Sequence, residues 1–110
     1  MSIRTMVFTW HEEFSFRVQV AFVAALIVLS YLLGIPANEF LLLIVICGAV
    51  LAVELINTAI EQLCDYLTTN HDPRIGKIKD LGSGAATIIG LTAVIVSATI
   101  FIPRLLAQFL

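Results

Sequence analysis

Apolar residues fall along this chain in three long blocks separated by two short polar or turn-forming stretches. Val20–Ile35 is apolar and halts at Pro36; extended back through Phe16 as a helix, it matches the roughly 20 residues that cross a bilayer core about 30 Å thick. Glu39–Tyr66 is the second block, and within it LLLIVICGAVLAV (41–53) carries no charge. Leu81–Ile102 is the third, expected to end before Pro103. Gly34-Ile35-Pro36-Ala37-Asn38 reads as the first turn, since Gly and Pro interrupt helices. TTNHDPRIGKIK (68–79) reads as the polar connection before the third block. The pattern predicts an all-α membrane protein, a single domain over 1–110, with transmembrane helices over about 17–35, 39–66 and 80–102.

Ahead of the first span, Met6, Val7, Trp10, Phe14 and Arg17 recur at helical spacing. This predicts an N-terminal amphipathic surface helix over about 2–16, with Trp10 in the headgroup layer. The same stretch has charges and aromatics where a cleavable signal peptide would be apolar, so it is read as part of the mature protein.

Composition sharpens this picture. Sixty per cent of the residues are hydrophobic and 13% charged, with a mean hydropathy of +1.04. Soluble domains run nearer 45–50% and about 25%, and a soluble fold of this size has too little interior for so much apolar surface. A net charge of −2 with only six Lys and Arg gives no electrostatic footprint for nucleic acid. Cys47 and Cys64 stand seventeen residues apart, outside any CxxC or zinc-type spacing, and read as small apolar core residues. Arg4, Arg17, Arg74, Lys77 and Lys79 fall on one side of the three spans, and the 34–39 turn has no basic residue. Lys and Arg favour the cytoplasmic side, so the N-terminus and the 68–79 loop are expected in the cytoplasm. Arg104 is left on the other side, where it can snorkel to the interface.

Against this background the second span carries Glu54, Asn57, Glu61 and Asp65. At 100° per residue the four share a sector of about 80° and run roughly 16 Å along the axis. A charged group at the centre of a span costs about 2.5–3.5 kcal/mol on insertion scales. One carboxyl could be a neutral passenger, but several beside an amide suit a hydrated or cation-neutralised site. The plain alternative is adhesion between helices through side-chain hydrogen bonds. Glu13, one turn before Arg17, and Lys79-Asp80 at the start of the third span fall at the same end. Singly, they read as an i,i+4 ion pair and a helix cap; together with Glu61 and Asp65 they form one cytoplasmic mouth. Carboxylates with a lysine suit Mg²⁺ holding phosphates, because that ion takes one or two carboxylates plus phosphate oxygens and water. No phosphate-binding loop is present: Gly76-Lys77 lacks the preceding glycine and the following Ser/Thr, and Gly82-Ser83-Gly84 is not a GxGxxG. Gly82, Ala86, Gly90, Ala93 and Ser97 keep one face of the third span small and read as a helix-packing stripe. Three short spans enclose little cavity by themselves, so a homo-oligomer is expected.

Three motifs carry a resemblance: E-x-x-F-R (Glu13 to Arg17), E-x-x-N-T-A-I-E-x-x-x-D (Glu54 to Asp65), and K-D followed by small residues (Lys79 to Ala86). Over about residues 10–102 the chain resembles the bacterial integral-membrane diacylglycerol kinase family, which includes the undecaprenol kinases of Gram-positive bacteria. The resemblance implies a homotrimer of three-span subunits in the bacterial cytoplasmic membrane, with active sites between subunits. It implies transfer of the γ-phosphoryl of ATP, with Mg²⁺, to the primary hydroxyl of a membrane lipid: diacylglycerol, giving phosphatidic acid, with undecaprenol as the alternative acceptor. By position it implies Glu54 as the catalytic carboxylate and Glu13 and Glu61 as metal ligands. Glu13, Asn57, Glu61, Asn70, His71, Asp72, Lys79 and Asp80 fall at nucleotide contacts, and Trp10, Arg17 and Glu54 at lipid contacts. Two readings of another class remain beside it: a small oligomeric cation or proton transporter or channel, and a scaffold that uses the stripe as adhesive.

Overall fold

A computed structural model describes Ile3, residues 14–67 and residues 72–110. The surface helix expected over 2–16 lies almost wholly outside these residues. Three helices make up the rest: α1 (Phe14–Leu33), α2 (Ala37–Leu67) and α3 (Pro73–Phe109). Each is long and apolar enough to cross a membrane.

The α1–α2 turn follows from Gly34. Its φ of 67° lies in the left-handed region, which a residue without a Cβ adopts at little cost. There Gly34 N–H donates to Tyr31 O (3.2 Å) and Ile35 N–H to Ser30 O (3.1 Å), the paired bonds that satisfy the last carbonyls of a helix. Pro36 then stops any continuation, and its carbonyl accepts the first bond of α2 from Phe40 N–H.

The third helix is longer at both ends than its apolar block suggests. Asp72 is extended (φ −125°, ψ 119°), its carboxylate accepts from Arg74 N–H, and Pro73 follows at the first helical position. That is a strong N-terminal signal, so residues 73–79, expected as connection, are helical. Asp80, read as a cap, instead sits exposed a further two turns along, and Asp72 holds that role. At the far end the helix runs through Pro103 to Phe109. A proline inside a helix removes one backbone bond, and membrane helices tolerate the loss.

Continuing past Pro103 brings Arg104 onto Glu39 at the start of α2. Arg104 Nη2 and Nε donate to Glu39 Oε2 at 2.7 and 3.2 Å. Arg104 therefore pairs across the bundle and does not simply snorkel. Beside this clasp lies the buried cluster Leu43, Ile100 and Phe101, backed by Leu26, Leu29, Leu33, Ile35 and Val96. Ser30 is buried there too and donates its hydroxyl to Leu26 O. Both clasp side chains are about one-third exposed, so removing either leaves a half-desolvated charge. Arg104→Leu is expected to lower unfolding stability in micelles by about 1–3 kcal/mol. Arg104→Leu with Glu39→Leu should recover most of that; costs that simply add would show that the two groups are not coupled.

α3 lies along α2, and α1 touches α2 more lightly. Most large apolar side chains remain exposed on the single chain, among them Phe22 (64%), Leu41 (62%) and Ile95 (66%). No water-soluble monomer exposes such a surface; lipid tails or neighbouring copies cover it.

Candidate active site at the Lys79 end of the bundle

The stripe on α2 is the wall of the site. Glu54 and Asn57 are half-buried, and Glu61 and Asp65 are exposed. The inner pair is thus more enclosed than the outer pair, and the stripe runs from the apolar middle of the helix outwards. From Glu54 to Glu61 the axial distance is about 10 Å. Glu54 makes no hydrogen bond or ion pair among the described residues.

Two residues of α3 meet this stripe. Lys79 Nζ donates to Asp65 Oδ1 at 2.5 Å. That bond and the Asp65 charge, with the Glu61 carboxylate adding to them, hold the Lys79 ammonium above the ordinary lysine range. Lys79 lies just outside the third apolar block and stays cationic. One turn further, Gly82 is pressed against the Asn57 carboxamide: a Cβ there would collide with Asn57 Oδ1. Asn57 Oδ1 is buried without a hydrogen-bond partner, while its Nδ2 reaches Glu61 Oε1 at 3.5 Å, the outer limit of a hydrogen bond. Asn57 thus lies wedged between α3 and Glu61.

The structure therefore gathers Asn57, Glu61 and Lys79 at one end, with Glu54 deeper on the same helix. Asp80 is exposed beside Lys79. Asp72 caps α3 and pairs with Arg74 at 3.3 Å. Arg17 is exposed near the start of α1. Trp10, Glu13, Asn70 and His71 lie outside the described residues. Cys47 and Cys64 are buried free thiols, as their spacing suggests.

Two features escaped the sequence pattern. Of the two glycines in the small stripe on α3, Gly82 packs tightly, whereas a Cβ at Gly90 would meet nothing within 4 Å. Higher up, Gly90 and Ser97 line a cavity of about 360 Å³ shared with Gln19 and Phe22 of α1 and Cys47 and Val50 of α2. Gln19 Oε1 is buried there without a partner. Val50, at one edge of this apolar space, stands one helical turn before Glu54.

The carboxylate oxygens at the Lys79 end are donors of the type that magnesium takes together with phosphate. Among the described residues no group of three or more His, Cys, Asp and Glu side chains could hold a metal ion. Mg²⁺ needs fewer, because phosphate oxygens and water complete its octahedron. Glu61, exposed and only loosely held by Asn57, has carboxylate oxygens available for it.

The model of the family described as prokaryotic diacylglycerol kinase matches residues 1–101. The chain is 29% identical over 97 residues to the undecaprenol kinase of Bacillus subtilis, spanning 88% of this chain and 79% of that protein. It is 37% identical over 91 residues to the diacylglycerol kinase of Pseudomonas aeruginosa, 82% of this chain and 73% of that one. It is 34% identical over 86 residues to the diacylglycerol kinase of Escherichia coli K12, 78% and 70% respectively. The transporter and scaffold readings find no support in these relatives.

Proposed function

The chain belongs to the prokaryotic diacylglycerol kinase family, and from that premise we propose that it transfers the γ-phosphoryl of ATP to the primary hydroxyl of diacylglycerol, with Glu54 as the base. It is a multi-pass membrane lipid kinase, an alcohol phosphotransferase. The observation that carries the finer reading is the single stripe on α2. Its outer members, Glu61 and Asp65, stand with Lys79 where a charged nucleotide can arrive, and its inner member, Glu54, lies level with apolar surface.

In this reading the Lys79 end faces the cytoplasm. Glu61, with Glu13, would hold Mg²⁺, which when bound neutralises the phosphate charge of ATP. Lys79 sets its ammonium against the same phosphates as a point charge. Asn57, whose Nδ2 lies 3.5 Å from Glu61 Oε1, would help orient that carboxylate. Glu54 takes the proton of the lipid hydroxyl on a carboxylate oxygen as that hydroxyl's oxygen bonds to the γ-phosphorus and the bond to the ADP oxygen breaks. Phosphoryl transfer asks chiefly for such positioning and charge stabilisation. The cavity reaching Val50 offers apolar surface to the acceptor's hydrocarbon chain. Sites between subunits of a trimer would supply walls that three helices alone lack, and Trp10, Arg17, Asn70, His71, Asp72 and Asp80 would line their lipid and nucleotide edges.

Purified protein in micelles with labelled ATP and Mg²⁺, given diacylglycerol in one arm and undecaprenol in another, tests the proposal. Labelled phosphatidic acid is the expected product. Undecaprenyl phosphate alone would move the acceptor, and no labelled lipid in either arm would sink the activity.

A further inference from the structure

We propose that Asp65, outside the phosphate-binding set itself, is the positioning residue for Lys79: its bond across the two helices fixes the ammonium where the triphosphate must arrive. The inference rests on Lys79 being the phosphate counter-charge. It is carried by a contact between residues fourteen apart in sequence, one on each helix, at 2.5 Å.

A lysine side chain is long and rich in rotamers, and near the start of a helix at a membrane surface it would sweep a wide arc of water. Asp65 ends that freedom. It draws Nζ onto the face of α2 that also carries Glu61 and Asn57, and the charge of Glu61 is felt at Lys79. Lysine has three N–H donors, so the one given to Asp65 leaves two for phosphate oxygens. The two side chains are unequally enclosed: Lys79 is 38% exposed and Asp65 67%. Exposed pairs of this kind add little to folding stability, so the value of the bond lies in where it leaves the ammonium.

Asp65→Asn keeps the shape and weakens the hold. Ordering a lysine at the moment of binding, instead of beforehand, is expected to raise the KM for MgATP about three- to ten-fold. The KM for the lipid acceptor and the thermal midpoint should stay near the parent's. Asp65→Glu should restore most of the ATP affinity. In a Lys79→Ala background, Asp65→Asn should add no further change, because the group it positions is gone. An unchanged or lowered KM for MgATP in Asp65→Asn overturns the proposal, the latter because it would mean that Asp65 chiefly repels phosphate. If Lys79→Ala itself leaves the KM for MgATP alone, the counter-charge reading fails first, and the two failures are told apart.

Discussion

Glu54→Gln is expected to insert, assemble and bind MgATP as the parent does, yet to phosphorylate lipid about 10²–10⁴-fold more slowly, the range a positioned general base contributes. The expectation follows from what surrounds the carboxylate. Glu54 is half-buried on α2 and has no partner among the described residues, so the neutral amide orphans no neighbour. Glutamine has nearly the same volume, and removing a potential charge from a span eases insertion. Folding therefore has no reason to suffer, while the amide oxygen is far too weak a base to take the hydroxyl proton. Turnover at saturating ATP and lipid, beside helix content and oligomer size, makes the measurement. A variant within ten-fold of the parent would remove Glu54 from the proton transfer and return the stripe to a role in adhesion between helices.

The stripe was legible because its spacing of three and four residues survives into the folded helix unchanged. So were the three spans, because length and hydropathy alone decide which segments leave water. The ends of α3 were not. Asp72-Pro73 is a stronger start signal than the apolar boundary eight residues later, and a reading weighted by hydropathy passes over it. Pro103 reads as a stop, but a helix among lipids and other helices absorbs one missing N–H. The pairs Glu39–Arg104 and Asp65–Lys79 join different helices. Periodicity places each residue on a face of its own helix and says nothing of which face it meets. Gly82 was legible as a small packing residue, but its specific neighbour, the Asn57 carboxamide, required the two helices to be set side by side.

That neighbour makes Gly82 the position where a single methyl group should cost activity without costing the fold. Gly82→Ala improves intrinsic helix propensity by up to about 1 kcal/mol, so helix content and thermal midpoint are expected to hold or rise. The added Cβ collides with Asn57 Oδ1, while the next atoms, Asn57 Cγ at 3.5 Å and Ile60 Cδ1 at 3.9 Å, lie at ordinary contact. The clash therefore falls on the tip of one side chain, and since Oδ1 has no hydrogen bond to lose, rotation of the carboxamide is the easy relief. Rotation carries Nδ2 away from Glu61, whose only hydrogen bond among the described residues is that 3.5 Å contact. In the proposed site Glu61 would then lose its orientation toward the magnesium–nucleotide, and kinase activity should fall about ten- to a hundred-fold, the scale of an ångström-level misplacement. Gly84→Ala is the matched control. It makes the same change of propensity two residues away, where a Cβ meets nothing within 4 Å, and it should keep full activity. Should Gly82→Ala also keep full activity, Asn57 would not be setting Glu61, and the contact between α2 and α3 at this level would be packing alone.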